Sequence, residues 1–238
     1  MKIAIYGAGA VGGYYGARLV QAGEDVTFIA RGANLQALKT GGLRLDSVFG
    51  NLHLPVVQAT DNPAGVGRVD VIISGVKTFQ VTESAQAMRP MVGPETMVIT
   101  TQNGVDSPDK YAEVLGSQHV LGATVKLFTL LAEPGHIVHA GGPATFVFGE
   151  FGRPTSERAQ RLLAVLQRCQ GVAPAVSPDI VAELWSKQVL IGGFAGVGCI
   201  TRAPIGVSRS LPETRALVEN IMREIYEVAV ARGVGICN

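Results

Sequence analysis

The chain has 238 residues, of which 47% are hydrophobic and 16% charged, and its formal net charge is +1. A near-neutral chain without a basic cluster lacks the field that would hold nucleic acid or an anionic membrane surface, so neither is expected as a partner. Its 30 glycines are almost twice the usual share of about 7%. The apolar content excludes a disordered chain and predicts a globular protein with a large core.

Two uncharged stretches bear on secretion and membrane insertion. The N-terminal one is interrupted by five glycines before Arg18, which does not suit a signal peptide. The other, residues 188–201, contains four glycines and is shorter than the ~18 residues that suggest a membrane span. The cysteines, Cys169, Cys199 and Cys237, are far apart and without a CxxC pair. They predict reduced thiols of a cytoplasmic protein, with neither disulfides nor a metal site.

Apolar segments alternate with helical patterns along the first hundred residues. The predicted strands cover residues 2–6, 25–30, 69–75 and 97–101. The predicted helices cover residues 14–21 and 79–89. Near-continuous apolar strands that alternate with helices are typical of a parallel sheet covered on both faces, so the chain begins as an α/β Rossmann-type doubly wound fold.

Other segments of the chain show a different pattern, in which short apolar stretches are separated by turn residues. Residues 43–57 predict a hairpin, and residues 120–131, 136–140 and 145–150 predict antiparallel strands. The turns between these strands would be Glu133-Pro134-Gly135 and Gly141-Gly142-Pro143. The sheet is therefore expected to be mixed at one edge.

Beyond Pro154 the pattern becomes mainly helical. Helices are predicted over residues 155–168, 180–200 and 212–231, with a short strand over 173–176. A proline that starts a helix marks a boundary near Ser177-Pro178. The expected organisation is a dinucleotide-binding domain over residues 1–176 and an all-helical domain over residues 177–238.

A glycine-rich turn lies directly after the first predicted strand and before the first predicted helix. Its sequence is Gly7-Ala8-Gly9-Ala10-Val11-Gly12. In such a GxGxxG turn the glycines permit a tight turn, close approach of a pyrophosphate and close packing of helix on strand. The phosphates would lie at the positively polarised helix N-terminus. The motif predicts that these six residues bind a dinucleotide; the alternative is a glycine-rich turn without a ligand.

The tip of the second predicted strand distinguishes the two nicotinamide dinucleotides. An NAD site has an acidic residue there, but this chain has Arg31. Glu24 and Asp25 lie at the opposite end of the strand. A guanidinium suits the 2′-phosphate of NADP, which it can bind bidentately. Arg31 therefore predicts NADP(H) as the cofactor, the alternative being a solvated surface charge.

Polar residues follow two further predicted strands. Lys77 comes after the strand over residues 69–75, and Asn103 after the strand over residues 97–101. Ligands of doubly wound sheets gather at these carboxyl ends. The alternative for both is turn chemistry with a surface charge. His136 and His139, on opposite faces of a strand, and Trp185 are interpreted as structural residues.

Several segments occur together in one order. They are the N-terminal GAGAVGGYYGARL, residues 75–81 (GVKTFQV), 101–105 (TQNGV), 133–139 (EPGHIVH) and 182–187 (AELWSK). Together they resemble the ketopantoate reductase (2-dehydropantoate 2-reductase) family over essentially the whole chain. The resemblance implies NADPH-dependent reduction of ketopantoate to pantoate, in pantothenate and coenzyme A synthesis, with the substrate between a Rossmann domain and a helical domain. It also implies that Lys77 and Asn103 line the cofactor and substrate pocket and that Lys187 is catalytic.

The chemistry expected of Lys187 can be argued separately. Hydride delivery to a 2-keto carbon puts negative charge on the carbonyl oxygen, which an ammonium group can stabilise and protonate. Lys187 interrupts an apolar helix, so it either faces a cleft or extends its ammonium to the surface. In the resembled family the lysine's face carries asparagines one and two turns on, but here those positions are Ile191 and Ala195. A less polar 2-keto acid than ketopantoate, or a ketone, is therefore expected.

Two functional hypotheses remain open at this stage. The first is the NADPH-dependent 2-keto acid reductase, and the second is an NADP-binding protein without turnover. Because the resembled family continues with further helices, the helical domain is expected to be incomplete, and a second subunit in a homodimer is expected to cover its apolar surface.

Overall fold

The computed structural model describes residues 1–152 and 156–236 of the chain. Contacts between residues divide it into two units: Met1–Gln102 with Asp106–Pro178, and Asn103–Val105 with Asp179–Asn238. The start of the helix predicted at residue 155 and the predicted thiol of Cys237 lie outside the described residues. The two units are described separately below.

The first unit combines ten strands with five helices within its described residues. The strands are β1 (Lys2–Tyr6), β2 (Asp25–Ile29), β3 (Leu43–Ser47), β4 (Leu52–Leu54), β5 (Gln58–Thr60), β6 (Val69–Ser74), β7 (Val92–Thr100), β8 (Val120–Glu133), β9 (His136–Glu150) and β10 (Ala173–Val176). The helices are α1 (Ala10–Gln21), α2 (Gly32–Gly41), α3 (Val81–Met88), α4 (Ser107–Leu115) and α5 (Glu157–Leu166).

The strands form one sheet in the order β4-β3-β9-β8-β7-β6-β1-β2-β5, and β10 pairs with β9 beside this path. The pairs from β5 through β2, β1, β6 and β7 to β8 are all parallel. The β8–β9 and β3–β4 pairs are antiparallel. The predicted α/β class, with a parallel sheet that becomes mixed at one edge, is confirmed.

Strand β1 shows why both faces of the sheet are covered. Its side chains alternate between the two faces with period two. Ile3 and Ile5 join the core that contains α1 and α5, whereas Ala4 and Tyr6 join the core that contains α3 and α4. All four side chains are buried, so β1 carries a nearly continuous apolar run and ends against the glycine-rich turn.

The structure corrects one predicted turn. Gly141-Gly142-Pro143 does not separate two strands, because β9 runs through it without a break. The positive φ of Gly142 (85°) and of Ala144 (46°) is accommodated within β9. The register with β8 shifts at the same place, between Lys126 and Phe128. The glycines therefore provide an irregularity in a long hairpin. Strand β5 and helices α2 and α4, which the sequence pattern did not indicate, are short elements.

The second unit contains helices α6 (Ile180–Thr201), α7 (Ile205–Ser210) and α8 (Pro212–Ala231). Asp179 caps α6 by accepting a hydrogen bond from the amide of Ala182 at 3.0 Å. Helix α6 packs closely on α8, since a Cβ at Gly192 would lie 2.3 Å from Ile225 Cδ1 and one at Gly193 would lie 2.5 Å from Met222 Cγ. Two of the four glycines of α6 therefore permit close helix packing.

Helix α6 is also apolar enough for a membrane. Among the described residues it is the one helix whose 22-residue length and mean hydropathy of 1.2 would allow a crossing. The core helix of a soluble protein has the same properties. Helix α6 packs against α8 through two of its glycines, and the expected absence of a membrane partner stays a prediction.

Candidate functional site

A cavity of about 280 Å³ opens at the carboxyl ends of β1, β2 and β6 in the first unit. Five of the predicted site residues line it: Gly7, Ala8, Gly9, Arg31 and Lys77. The other predicted turn residues, Ala10, Val11 and Gly12, form the first turn of α1 directly after Gly9. Asn103 and Lys187 belong to the second unit. The structure thus gathers the predicted cofactor-binding residues other than Asn103 at one place in the sheet.

The glycines of the turn meet three different demands. Gly7 has a φ of +96°, which favours glycine, and its amide donates to the carbonyl of Ile29 at 3.0 Å. A Cβ at Gly12 would lie 2.3 Å from the carbonyl oxygen of Gly7. A Cβ at Gly9 would meet no described atom within 4 Å beyond its own helix and chain neighbours. Gly7 and Gly12 therefore fit the turn itself, whereas Gly9 leaves open space in the cavity wall.

The N-terminus of α1 begins at this open space. Gly9 is its N-cap, no described side chain caps it, and its first turn contains no acidic residue. The first amides of a helix have no partner within the helix, and the aligned peptide dipoles make this end positive. The terminus is therefore suited to an anionic group such as a pyrophosphate.

Arg31 stands at the end of β2, as the motif requires, but it already has a partner. Its Nη1 and Nη2 both lie 3.1 Å from Oε1 of Glu83, and Glu83 also lines the cavity. Hydrogen bonding to Glu83 and the charge of its carboxylate raise the pKa of Arg31. Their side chains are 62% and 65% exposed, so the pair is worth no more than about 1 kcal/mol. Arg31 is thus an ion-paired residue that a ligand can still reach.

Gln102 fixes the turn that carries Lys77. Its Nε2 donates to the Ser74 carbonyl at 3.0 Å, to the Ser74 hydroxyl at 3.0 Å and to the Val76 carbonyl at 3.1 Å. Thr101 adds a bond from its hydroxyl to the Ser74 carbonyl at 2.7 Å. Gln102 lies within the TQNGV segment, but its role could not be predicted from the sequence, because these bonds join residues 26 to 28 positions apart.

A cluster of buried hydroxyl groups also stabilises the turn that carries Lys77. The Tyr111 hydroxyl lies 2.6 Å from that of Ser74 and 2.8 Å from that of Ser84. Burial raises the pKa of Tyr111, so its hydroxyl remains protonated. Because Ser84 also lines the cavity, the cluster links the interior of the sheet to the cavity wall.

Asn34 is a further cavity residue that sequence reasoning missed. Its Nδ2 donates to the Ala8 carbonyl at 2.8 Å, and its Oδ1 accepts from the Gly135 amide at 2.9 Å. It therefore ties the glycine-rich turn to the β8–β9 connection, 101 residues further along the chain.

In the second unit, Lys187 is half-buried in α6. Ile191, one turn on, is also half-buried, and Ala195, two turns on, is exposed. Spacings of four residues place all three on one side of the helix. This side of α6 presents a single ammonium group beside an aliphatic and a small side chain.

The remaining predicted residues make structural contacts. His136 Nε2 lies 2.8 Å from Asp46 Oδ2, and His139 Nδ1 lies 2.9 Å from the Ser47 hydroxyl. The Trp185 ring lies under the guanidinium of Arg232, with a separation of 5.9 Å. Over residues 1–152 and 156–236, no group of three or more His, Cys, Asp or Glu side chains could hold a metal ion.

A larger cavity of about 740 Å³ lies in the first unit, near the amino ends of β7 and β8. None of the predicted site residues lines it. Arg158, in its wall, already bonds Glu150 at 2.9 Å and the Gln118 carbonyl at 2.7 Å. Since doubly wound sheets bind ligands at the carboxyl ends of their strands, the smaller cavity is the better candidate site.

A doubly wound sheet with a glycine turn at a helix N-terminus, followed by a helical unit, defines the Rossmann-type class of dinucleotide-binding folds. Within that class, residues 3–153 match the family model for ketopantoate reductase PanE/ApbA, and residues 179–238 match the model for its C-terminal part. The chain belongs to the ketopantoate reductase family.

Individual relatives agree with this assignment. A 2-dehydropantoate 2-reductase of Mesorhizobium japonicum is 31% identical, over 98% of this chain and 77% of that protein. The crystal structure of a putative ketopantoate reductase from Ralstonia solanacearum MolK2 superposes with a TM-score of 0.92 at 33% identity, over 100% of this chain and 79% of that one. A D-mandelate dehydrogenase, solved with NADH and anilino(oxo)acetate, has a TM-score of 0.89 at 22% identity, over 99% and 76% of the two chains, and shows the shared fold.

These findings confirm the predicted family, the predicted fold class and the prediction of an oxidoreductase acting on a CH–OH group. At the family level they also support a nicotinamide cofactor and a small keto acid substrate. The assignment of individual site residues stays a prediction.

We expect Gly9→Ala to separate folding from coenzyme binding. The added methyl meets open space, so the free energy of unfolding should fall by less than about 1 kcal/mol, the size of an N-cap change. The methyl would occupy the place of a phosphate, and lost bonds to a charged group should raise the Kd for NADPH at least about tenfold. Denaturation curves and calorimetric titration measure the two effects.

Gly41→Ala is the matched control. Gly41, in the last turn of α2, also has no described atom within 4 Å of an added Cβ beyond its own helix and chain neighbours. It should leave the Kd for NADPH unchanged and alter the free energy of unfolding by no more than about 1 kcal/mol. An unaltered Kd in the Gly9→Ala variant would contradict the assignment of the cavity.

Proposed function

We propose that this protein reduces a 2-keto acid to the corresponding 2-hydroxy acid with NADPH. The observation that carries the proposal is the open space at Gly9, beside an uncapped helix N-terminus and with Arg31 at the end of β2. Membership of the ketopantoate reductase family supports the reaction type. Ketopantoate reduction for pantothenate synthesis is the reference reaction, and a paralogue with a less polar substrate is the form that we favour.

The residues of the cavity fit a phosphorylated dinucleotide. Gly7 to Gly12 and the first amides of α1 would hold the pyrophosphate, and Arg31 would hold the 2′-phosphate. Lys77, exposed at the cavity wall, would lie beside the bound cofactor. When bound, NADPH supplies the hydride.

Lys187 is proposed as the catalytic acid. As hydride adds to the keto carbon, the electron pair of the C=O bond moves onto oxygen, and the Lys187 ammonium stabilises this charge and donates the proton that completes the hydroxyl. The product is the 2-hydroxy acid, and the lysine regains its proton from solvent. Asn103 and Lys77 are proposed to orient the substrate.

Ile191 and Ala195 support a substrate with an apolar substituent. They follow Lys187 at intervals of one turn and offer no hydrogen-bond donor to a hydroxyl of the substrate. A substrate hydroxyl buried beside these side chains would lose its hydrogen bonds to water without gaining others, which disfavours a hydroxylated substrate. We therefore favour branched or aromatic 2-keto acids over ketopantoate.

A homodimer in the cytoplasm is also part of the proposal. Large apolar side chains are exposed on the second unit, including Ile200, Val207, Leu211 and Leu217. Exposed apolar surface of this kind favours association with another subunit. The two described cysteines, Cys169 and Cys199, are free, as expected in a reducing compartment.

Arg31→Ala should weaken the binding of NADPH much more than the binding of NADH. Loss of charged hydrogen bonds to the 2′-phosphate costs about 1.5–3 kcal/mol, so the Kd for NADPH should rise by about 10- to 150-fold. Calorimetric titration with both coenzymes measures this, and Arg223→Ala, an exposed position on α8, is the control. Equal losses for NADPH and NADH would remove the 2′-phosphate assignment.

Lys187→Ala should slow turnover strongly while NADPH binding is retained. General acid catalysis contributes about 10²- to 10⁴-fold, so kcat should fall by that factor. Stopped-flow and steady-state oxidation of NADPH measure the rate, and Lys39→Ala, at an exposed site on α2, should be neutral. An unmutated protein that binds NADPH yet reduces none of the 2-keto acids tested would favour the alternative hypothesis of a binding protein without turnover.

A substrate panel tests the apolar preference. We expect kcat/KM for branched and aromatic 2-keto acids to exceed that for ketopantoate by about tenfold, the value of one or two buried methylenes. Replacing Ile191 and Ala195 together by asparagine should shift the ratio towards ketopantoate, and Val189→Asn, off this line of the helix, is the control. Ketopantoate as the best substrate of the unmutated protein would overturn the preference.

A further inference from the structure

Arg31, the residue proposed to bind the 2′-phosphate, is held by an acidic residue from another part of the chain. Both terminal nitrogens of its guanidinium bond the same oxygen, Oε1 of Glu83, at 3.1 Å. Arg31 is the N-cap of α2, whereas Glu83 lies in the first turn of α3, 52 residues away. Both side chains line the cavity. The ion pair therefore joins the segment after β2 to the helix that follows β6.

The carboxylate has opposite effects on the two forms of a nicotinamide dinucleotide. A 2′-phosphate bound to Arg31 would share the guanidinium with Glu83, and two anions on one cation repel each other. A 2′-hydroxyl carries no charge and can donate a hydrogen bond to a carboxylate, as it does to the acidic residue at the end of the second strand in NAD sites. Glu83 therefore opposes the selectivity that Arg31 provides.

Lys77 also lines the cavity, and its positive charge would offset part of this repulsion. Arg31, Glu83 and Lys77 are the charged residues that line the cavity. Both members of the pair are more than 60% exposed, so a ligand can reach either side chain. The Glu83 carboxylate and a 2′-phosphate would thus compete for the guanidinium of Arg31.

We propose that Glu83 is a specificity-determining residue that narrows the preference for NADPH over NADH, by competing with the 2′-phosphate for Arg31 and by accepting a hydrogen bond from the 2′-hydroxyl. This inference rests on the proposed function, because it requires a nicotinamide dinucleotide in the cavity. It assigns coenzyme selectivity to a pair of residues in which Arg31 attracts the phosphate and Glu83 moderates it.

The test is Glu83→Gln, which keeps the shape of an exposed side chain and removes its charge. From the repulsion between screened charges a few ångströms apart, the Kd for NADPH should fall about three- to tenfold. The Kd for NADH should stay the same or rise. Calorimetric titration of the unmutated protein and the variant measures both values, and 2′,5′-ADP and 5′-AMP should reproduce the difference without the nicotinamide ring. Added salt should reduce it.

Glu113→Gln, an exposed position on α4, removes the same charge elsewhere and should change neither Kd. If Glu83→Gln leaves the ratio of the two Kd values within about twofold of the unmutated protein, or weakens NADPH, the inference is wrong while the reductase proposal stands. If the unmutated protein binds neither coenzyme, the proposed function and the inference both fail.

Discussion

The architecture of the cavity depends on three glycines that meet where β1, α1 and β6 converge. A Cβ at Gly75 would lie 2.9 Å from the carbonyl oxygen of Gly7, and a Cβ at Gly12 would lie 2.3 Å from the same oxygen. Any side chain at either position would push the helix away from the strands. Because the helix is this close, its N-terminal amides begin at the cavity wall rather than over the sheet, which leaves the positive end of α1 open to an anionic group.

This close approach requires a rigid segment on the β6 side. The Gln102 amide and the hydroxyls of Thr101 and Tyr111 fix the strand end, but the arrangement leaves Gln102 Oε1 buried without a partner among the described residues. A buried, unpaired carbonyl oxygen costs about 1–3 kcal/mol. The three bonds from Nε2 to Ser74 and Val76 offset this cost. The network therefore leaves one buried oxygen unpaired, but it fixes the path of the segment that carries Lys77.

The sequence predicts features whose residues are close together in the chain and misses contacts between residues that are far apart in it. The glycine-rich turn and Arg31 were predictable because each lies directly after a strand whose apolar pattern is local. Glu83 could not be assigned to Arg31, nor Asn34 to Gly135, since these contacts span 52 and 101 residues. The false turn at Gly142 has a related cause: its positive φ is a local signal, but pairing with β8 keeps β9 continuous.

Electrostatics in this protein acts locally. A net charge of +1 over 238 residues provides no long-range field for a polyanionic ligand. Around the cavity the balance is Arg31 and Lys77 against Glu83, again one positive charge in excess. In the proposed reductase, recognition of the dinucleotide would then come mainly from the oriented amides of α1 and from short contacts with Arg31, both of which act over a few ångströms. Such a site discriminates between ligands by the position of their charges rather than by their total charge, which makes the geometry of one guanidinium decisive.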